Sequence, residues 1–73
     1  LNFIMASKLN IVILDAFEEK NELSLKELYE IITEYPEFTW ELSVMKHRVR
    51  SALYNMQQFN KIVRSGNSIY KKL

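Results

Sequence analysis

The chain has 73 residues, 48% apolar and 26% charged, which fits one globular domain near the lower size limit for folding on a single core and excludes a disordered chain. It has no cysteine, so neither a disulfide nor a thiolate metal site can supplement that core. The net charge of +1 conceals a split: nine acids against three lysines put residues 1–43 at −6, while residues 44–73 carry seven Lys and Arg and no acid.

The chain opens on Leu1 rather than Met, and Leu1, Phe3, Ile4 and Met5 read as protein sequence rather than tag. A piece of a longer protein is therefore expected, with residues 1–6 as linker or remnant. This segment has neither the basic region nor the long apolar region of a secretory signal, and apolar runs such as "IVIL" at 11–14 are far too short to span a bilayer. A cytoplasmic location is the default expectation.

Residues 7–20, "SKLNIVILDAFEEK", predict the first helix. Ser7 can cap it, and Leu9, Val12, Ile13, Ala16 and Phe17 fall on one stripe at helical spacing. Ile11 and Leu14 fall on the other side; a helix apolar on two faces is either sandwiched or carries a contact surface. With Phe3 and Ile4 just upstream, these residues are expected to pack against a parent domain or a second copy. "NEL" at 21–23 leaves room for a turn and a bridge of strand.

"SLKELYEIITEY" at 24–35 predicts the second helix. Ser24 and Glu27 stand in the capping-box arrangement, in which hydroxyl and carboxylate satisfy the free N–H groups of a helix start. Leu25, Leu28, Ile31 and Ile32 supply its buried stripe, and Glu27, Glu30 and Glu34 its solvated face. Pro36 ends it, because the residue before a proline resists the α conformation. "PEFTWE" is a connection whose Phe38 and Trp40 read as lids on the core.

The third helix is expected to start between Thr39 and Ser43, either of which can cap it, and to run to about Asn60. Its apolar stripe is Leu42, Met45, Val49, Ala52, Leu53, Met56 and Phe59. The outward face reads His47, Arg50, Ser51, Tyr54 and Gln58, flanked by Arg48 and Asn55 on one side and by Lys46 and Gln57 on the other. No carboxylate follows Glu41. "KIVRS" and "SIYKKL" are then β-prone runs that reverse across Gly66–Asn67, where both residues tolerate the positive φ of a tight hairpin.

Three helices followed by a two-stranded hairpin, with "ELS" available as a third strand, is the order of a winged helix-turn-helix domain: mainly α with a small β-sheet. "VRSALYNMQQFNKIV" at 49–63 resembles that family's recognition helix, turn and first wing strand, with Asn60 where glycine often stands. "GNSIYKKL" resembles the second wing strand. Paired with "ELSLKELY" at 22–29, these stretches are most similar to the C-terminal winged helix of Dpn-type restriction endonucleases, and to related winged helices fused to restriction enzymes and chromatin proteins. The wing turn departs from many relatives in carrying Ser65, Asn67 and Ser68 where basic residues or glycine stand.

The resemblance implies double-stranded DNA as the partner, with the third helix in the major groove and the wing on backbone or minor groove. It implies base-edge roles for His47, Arg50, Ser51 and Tyr54, and phosphate roles for Lys46, Arg48, Lys61, Arg64 and Lys71. Asn55, Gln58 and Asn67 complete the candidate contact set. The residue chemistry points the same way, since arginine bonds guanine O6 and N7 bidentately and a basic face attracts a polyanion. A bland reading of the charge split is that the two halves neutralise each other.

Catalysis is not expected. The chain has no H-E-x-x-H, no glycine-rich phosphate loop and no carboxylate cluster followed by lysine, and its one histidine, His47, has no carboxylate beside it in sequence. Glu18–Glu19 reads as a solvated helix end rather than a metal site, and no cofactor is expected. Two other uses of the fold compete with DNA binding: a protein-interaction module working through Ile11 and Leu14, and a small dimeric repressor joined through the same residues.

Overall fold

The computed structural model describes residues 8–73; the proposed cap Ser7 and the contact residues Phe3 and Ile4 lie outside them. The chain runs α1 (Lys8–Glu19), β1 (Glu22–Ser24), α2 (Leu25–Thr33), α3 (Leu42–Gln58), β2 (Ile62–Gly66), β3 (Ile69–Lys72). This is the winged helix-turn-helix layout, with the "ELS" segment as third strand.

On α1 the stripe Leu9, Val12, Ile13 and Phe17 is buried as its spacing requires, while Ile11 and Leu14 are 48% and 36% exposed on the back. The stripe packs on Leu28 and Ile32 of α2, on Met45, Val49, Ala52, Leu53 and Met56 of α3, and on Leu23 and Ile62 of the sheet. Full burial of Phe17, Leu28 or Leu53 contributes about 1.5–3 kcal/mol each over leaving it exposed. No helix among the described residues is long and apolar enough to cross a membrane.

The capping box forms. Ser24 Oγ accepts from the Glu27 N–H at 3.0 Å, and the Ser24 N–H donates to Glu27 Oε1 at 2.9 Å. These bonds also join α2 to the sheet, because Ser24 is the last residue of β1 and the Leu25 N–H donates to the Ser68 carbonyl at 2.8 Å. At the other end Glu34 caps the helix two residues before Pro36. Phe38 and Trp40 in the connection are half-buried and stacked, centroids 5.1 Å apart, against the core edge.

The ends of α3 differ from expectation. Neither Thr39 nor Ser43 caps it: the cap position is Glu41, which makes no side-chain capping bond, and Ser43 lies inside the first turn. Leu42 and Phe59 were expected in the buried stripe but are 61% and 75% exposed. Both lie at the ends of the helix, where helical projection overstates the core: Leu42 is in the first turn, and Phe59 is the cap residue at which the backbone leaves the helix.

That exit is a Schellman motif. Asn60 takes a left-handed φ of 60°, its N–H reaches the Gln57 carbonyl, and the Lys61 N–H reaches the Met56 carbonyl at 2.9 Å. Asn60 therefore adopts the conformation that glycine favours.

The sheet is antiparallel with order β1-β3-β2. Leu23, Ile62 and Tyr70 face the helices, while Val63, Ile69 and Lys71 are on the outer face. The hairpin turns at Asn67–Ser68, but not by the expected means. Gly66 is outside the positive-φ region, and the left-handed residue is Ser68, at 59°. The mirror-image turns that Gly-Asn suggests need positive φ at the first central residue, which this turn lacks. A bulge between Arg64 and Gly66 absorbs the mismatch. A Cβ on Gly66 would meet Ile69 at 3.6 Å, an ordinary contact, so the turn does not demand glycine there.

Candidate nucleic-acid interface

Because Met45, Val49, Ala52, Leu53 and Met56 fix one side of α3 in the core, the residues between them are forced outward. His47, Arg50, Ser51, Tyr54 and Asn55 line one shallow concavity on that outer side, open to solvent. Gln58 is exposed on the last turn. Every group in this row is a cation, a hydrogen-bond donor or an amphoteric hydroxyl or amide, and no carboxylate lines the concavity.

The cations flanking this row are held by neutral groups. The Lys46 ammonium sits 5.4 Å from the centre of the Tyr29 ring, and the Arg48 guanidinium 4.9 Å from the Trp40 ring. Arg50 Nη1 donates to the Tyr29 hydroxyl at 3.1 Å. Among the described residues the ion pairs are Lys8–Glu37, Lys20–Glu27 and Lys72–Glu18. Lys46, Arg48, Arg50, Lys61, Arg64 and Lys71 thus have no carboxylate within ion-pair distance.

A second, larger groove of about 630 Å³ runs beside α3, with Leu9, Phe38 and Trp40 among its apolar lining and His47, Arg48, Ser51 and Asn55 along the helix. Trp40 is therefore more than a lid, because it carries Arg48 at the groove. Tyr29 was missed by the sequence reading altogether. It follows Leu28 on the border of the α2 stripe, where a half-buried ring can present its hydroxyl at the rim, and that border position was the available signal.

The wing residues divide. Arg64 is exposed near the turn, where its Nε donates to the Gly66 carbonyl at 3.1 Å and its Nη2 reaches Asn67 Oδ1 at 3.5 Å. Lys71 pairs in register with Glu22, and the Glu22 carboxylate accepts from Ser65 Oγ at 2.7 Å across the intervening strand. Lys61 lines a groove shared with Asp15 and Glu18 of α1. The sequence groups Lys61 and Lys71 with the other cations, yet the fold gives both acidic neighbours, as it does Lys46, which shares a groove with Glu30 and Glu34 of α2.

Comparison of the chain with family models, with curated protein sequences and with solved structures returned no match.

Proposed function

We propose that the chain is a double-stranded DNA-binding module that lays α3 in the major groove and sets the β2–β3 wing on the backbone or minor groove. One observation carries the reading: the outward side of α3 is a row of donors and cations with no carboxylate, and its cations are steadied by aromatic and hydroxyl groups that leave their charge intact. A groove about 12 Å wide admits a helix. Arg50, between His47 and Tyr54, is the base-reading candidate. Ser51, Asn55 and Gln58 offer hydroxyl and amide groups to bases or phosphates, and Lys46, Arg48, Arg64 and, more weakly, Lys61 and Lys71 offer charge to the backbone. The role is one of binding rather than catalysis, and the cytoplasm is the compartment that suits it.

Equilibrium binding to random and methylated duplexes over a range of salt tests this. With about four to six cations on phosphates, log K falls against log salt with a slope of about −0.9 per contact. Affinity that ignores salt, or no binding at low salt, refutes it.

A second reading rests on Ile11 and Leu14, whose exposure leaves an apolar stripe on the back of α1. In that reading this stripe joins a protein partner or a second copy. Sedimentation of the wild type beside an Ile11→Glu/Leu14→Lys variant separates the cases, and a strictly monomeric wild type excludes the dimer.

A further inference from the structure

We infer that Tyr29, on α2, is a positioning residue that sets how Arg50 of α3 meets a base edge. The inference rests on the DNA-binding reading above and adds to it the group that governs specificity.

One side chain holds two cations of α3 in two ways. The edge of Tyr29 presents its hydroxyl to Arg50 Nη1 at 3.1 Å, and its ring lies 5.4 Å from Lys46 Nζ. The ring is itself half-buried against the core, so its place is fixed by packing. A free arginine loses rotamer entropy when it is ordered on a target, and a side chain already tethered loses less. The tether uses one of five guanidinium donors and leaves the Nε and Nη2 donors for a bidentate bond. As an acceptor, the hydroxyl restrains Arg50 without neutralising it. A carboxylate in its place would restrain the guanidinium equally well but cancel the charge that a polyanion needs.

Lys46 and Arg50 have different tasks in this arrangement. Lys46 is a compact charge whose exact orientation matters little to a phosphate, whereas paired bonds to a base edge depend on the plane of the guanidinium. The hydroxyl therefore governs discrimination and the ring governs affinity. Tyr29→Phe separates the two, since it keeps the ring and removes only the hydroxyl.

The test compares binding of wild type, Tyr29→Phe, Arg50→Ala and the double variant to two probes: a duplex selected from a randomised library, and a pool of random duplexes. Tyr29→Phe is expected to lower the ratio of the two affinities about three- to tenfold, the value of one net hydrogen bond, with melting temperature and salt slope unchanged. In the Arg50→Ala background the same change should add nothing. A ratio unaltered by Tyr29→Phe, or effects of the two substitutions that multiply, overturns the inference. If the wild type binds neither probe, the DNA-binding reading fails, and nitrogen relaxation of the Arg50 Nε–H then decides positioning on its own. A less ordered guanidinium in Tyr29→Phe then upholds the tether alone, with the base-edge role overturned, and unchanged order overturns both.

Discussion

The two halves of the molecule treat charge in opposite ways. In the α1–α2 half, two of the three lysines, Lys8 and Lys20, are spent on carboxylates, and the groove between the helices is lined by Asp15, Glu19, Glu27, Glu30 and Glu34. In the α3–hairpin half only Lys72 is paired with an acid, while Lys46, Arg48, Arg50 and Arg64 lean on two rings, a hydroxyl and a backbone carbonyl. Both modes order long side chains, but only the second leaves the field standing. The +7 of residues 44–73 is thus presented in part: Arg48, Arg50 and Arg64 stand clear of acids, while Lys72 is ion-paired and Lys46, Lys61 and Lys71 have acidic neighbours, which tells against complete mutual neutralisation of the two halves.

The largest expected effect breaks that contrast at its source. Reversing Arg48 and Arg50 together to glutamate should cost duplex affinity about a hundredfold or more, through lost contacts and new repulsion. Neutralising Asp15 and Glu19 instead, acids that line neither the α3 concavity nor the groove beside it, should change affinity by no more than about threefold, because solvated charges off the contact face are largely screened at ordinary salt. Fluorescence anisotropy on one labelled duplex measures both. Equal effects would mean that total charge, and not the α3 face, sets binding.

The acidic half is tied to folding, and its capping box is the place to test this. Ser24→Ala removes the acceptor for the Glu27 N–H at the joint of β1 and α2 and should destabilise the domain by about 1 kcal/mol in denaturant melts. Glu27 adds a pH signature. Hydrogen bonding from Lys20, and then from the Ser24 N–H, holds its carboxyl down to about 2 from 4.5. A carboxylate depressed on folding stabilises fully above its unfolded value, so this contribution should fade as pH drops through 4.5 towards 2. Glu27→Gln should flatten that part of the acid limb, while duplex affinity at neutral pH stays within about twofold.

Most of the architecture was legible because it depends on periodicity and local chemistry. The α1 stripe and the capping box at Ser24 follow from residue types at fixed offsets. Helix ends were not legible: the stripe of α3 projected onto Leu42 and Phe59, which have no core to meet. The outward row of α3 was readable for the same reason as its stripe, but Tyr29 and the platform role of Trp40 depend on contacts between elements that spacing does not encode. Gly66 shows the reverse error, since the only glycine invited a conformational explanation and the turn places its left-handed residue at Ser68. Gly66→Ala should accordingly be tolerated, shifting stability by less than about 1 kcal/mol, because the added Cβ meets Ile69 at an ordinary contact distance and the unfolded chain is stiffened. Thermal melts check this.

The finest distinction lies within the wing, where two cations of equal formal charge have unequal surroundings. Arg64 is restrained by a carbonyl and, at the limit of bonding distance, by an amide oxygen, so its charge is uncompensated at the turn. Lys71 stands in register with Glu22 on the outer face of the sheet, and Ser65 holds that carboxylate across the strands. A lysine beside a fixed carboxylate has part of its attraction for phosphate already met, and docking would bring Glu22 towards the same backbone. Arg64→Ala should therefore lower the salt slope by about one while weakening all duplexes alike. Lys71→Ala should lower it by distinctly less than one, and Glu22→Gln should restore to Lys71 the full weight of a phosphate contact. Salt titrations of Arg64→Ala, Lys71→Ala, Glu22→Gln and the Glu22→Gln/Lys71→Ala pair measure these slopes. If Lys71→Ala and Arg64→Ala lower the slope equally in the wild-type background, the neighbouring carboxylate is without effect, and the wing works as uniformly basic.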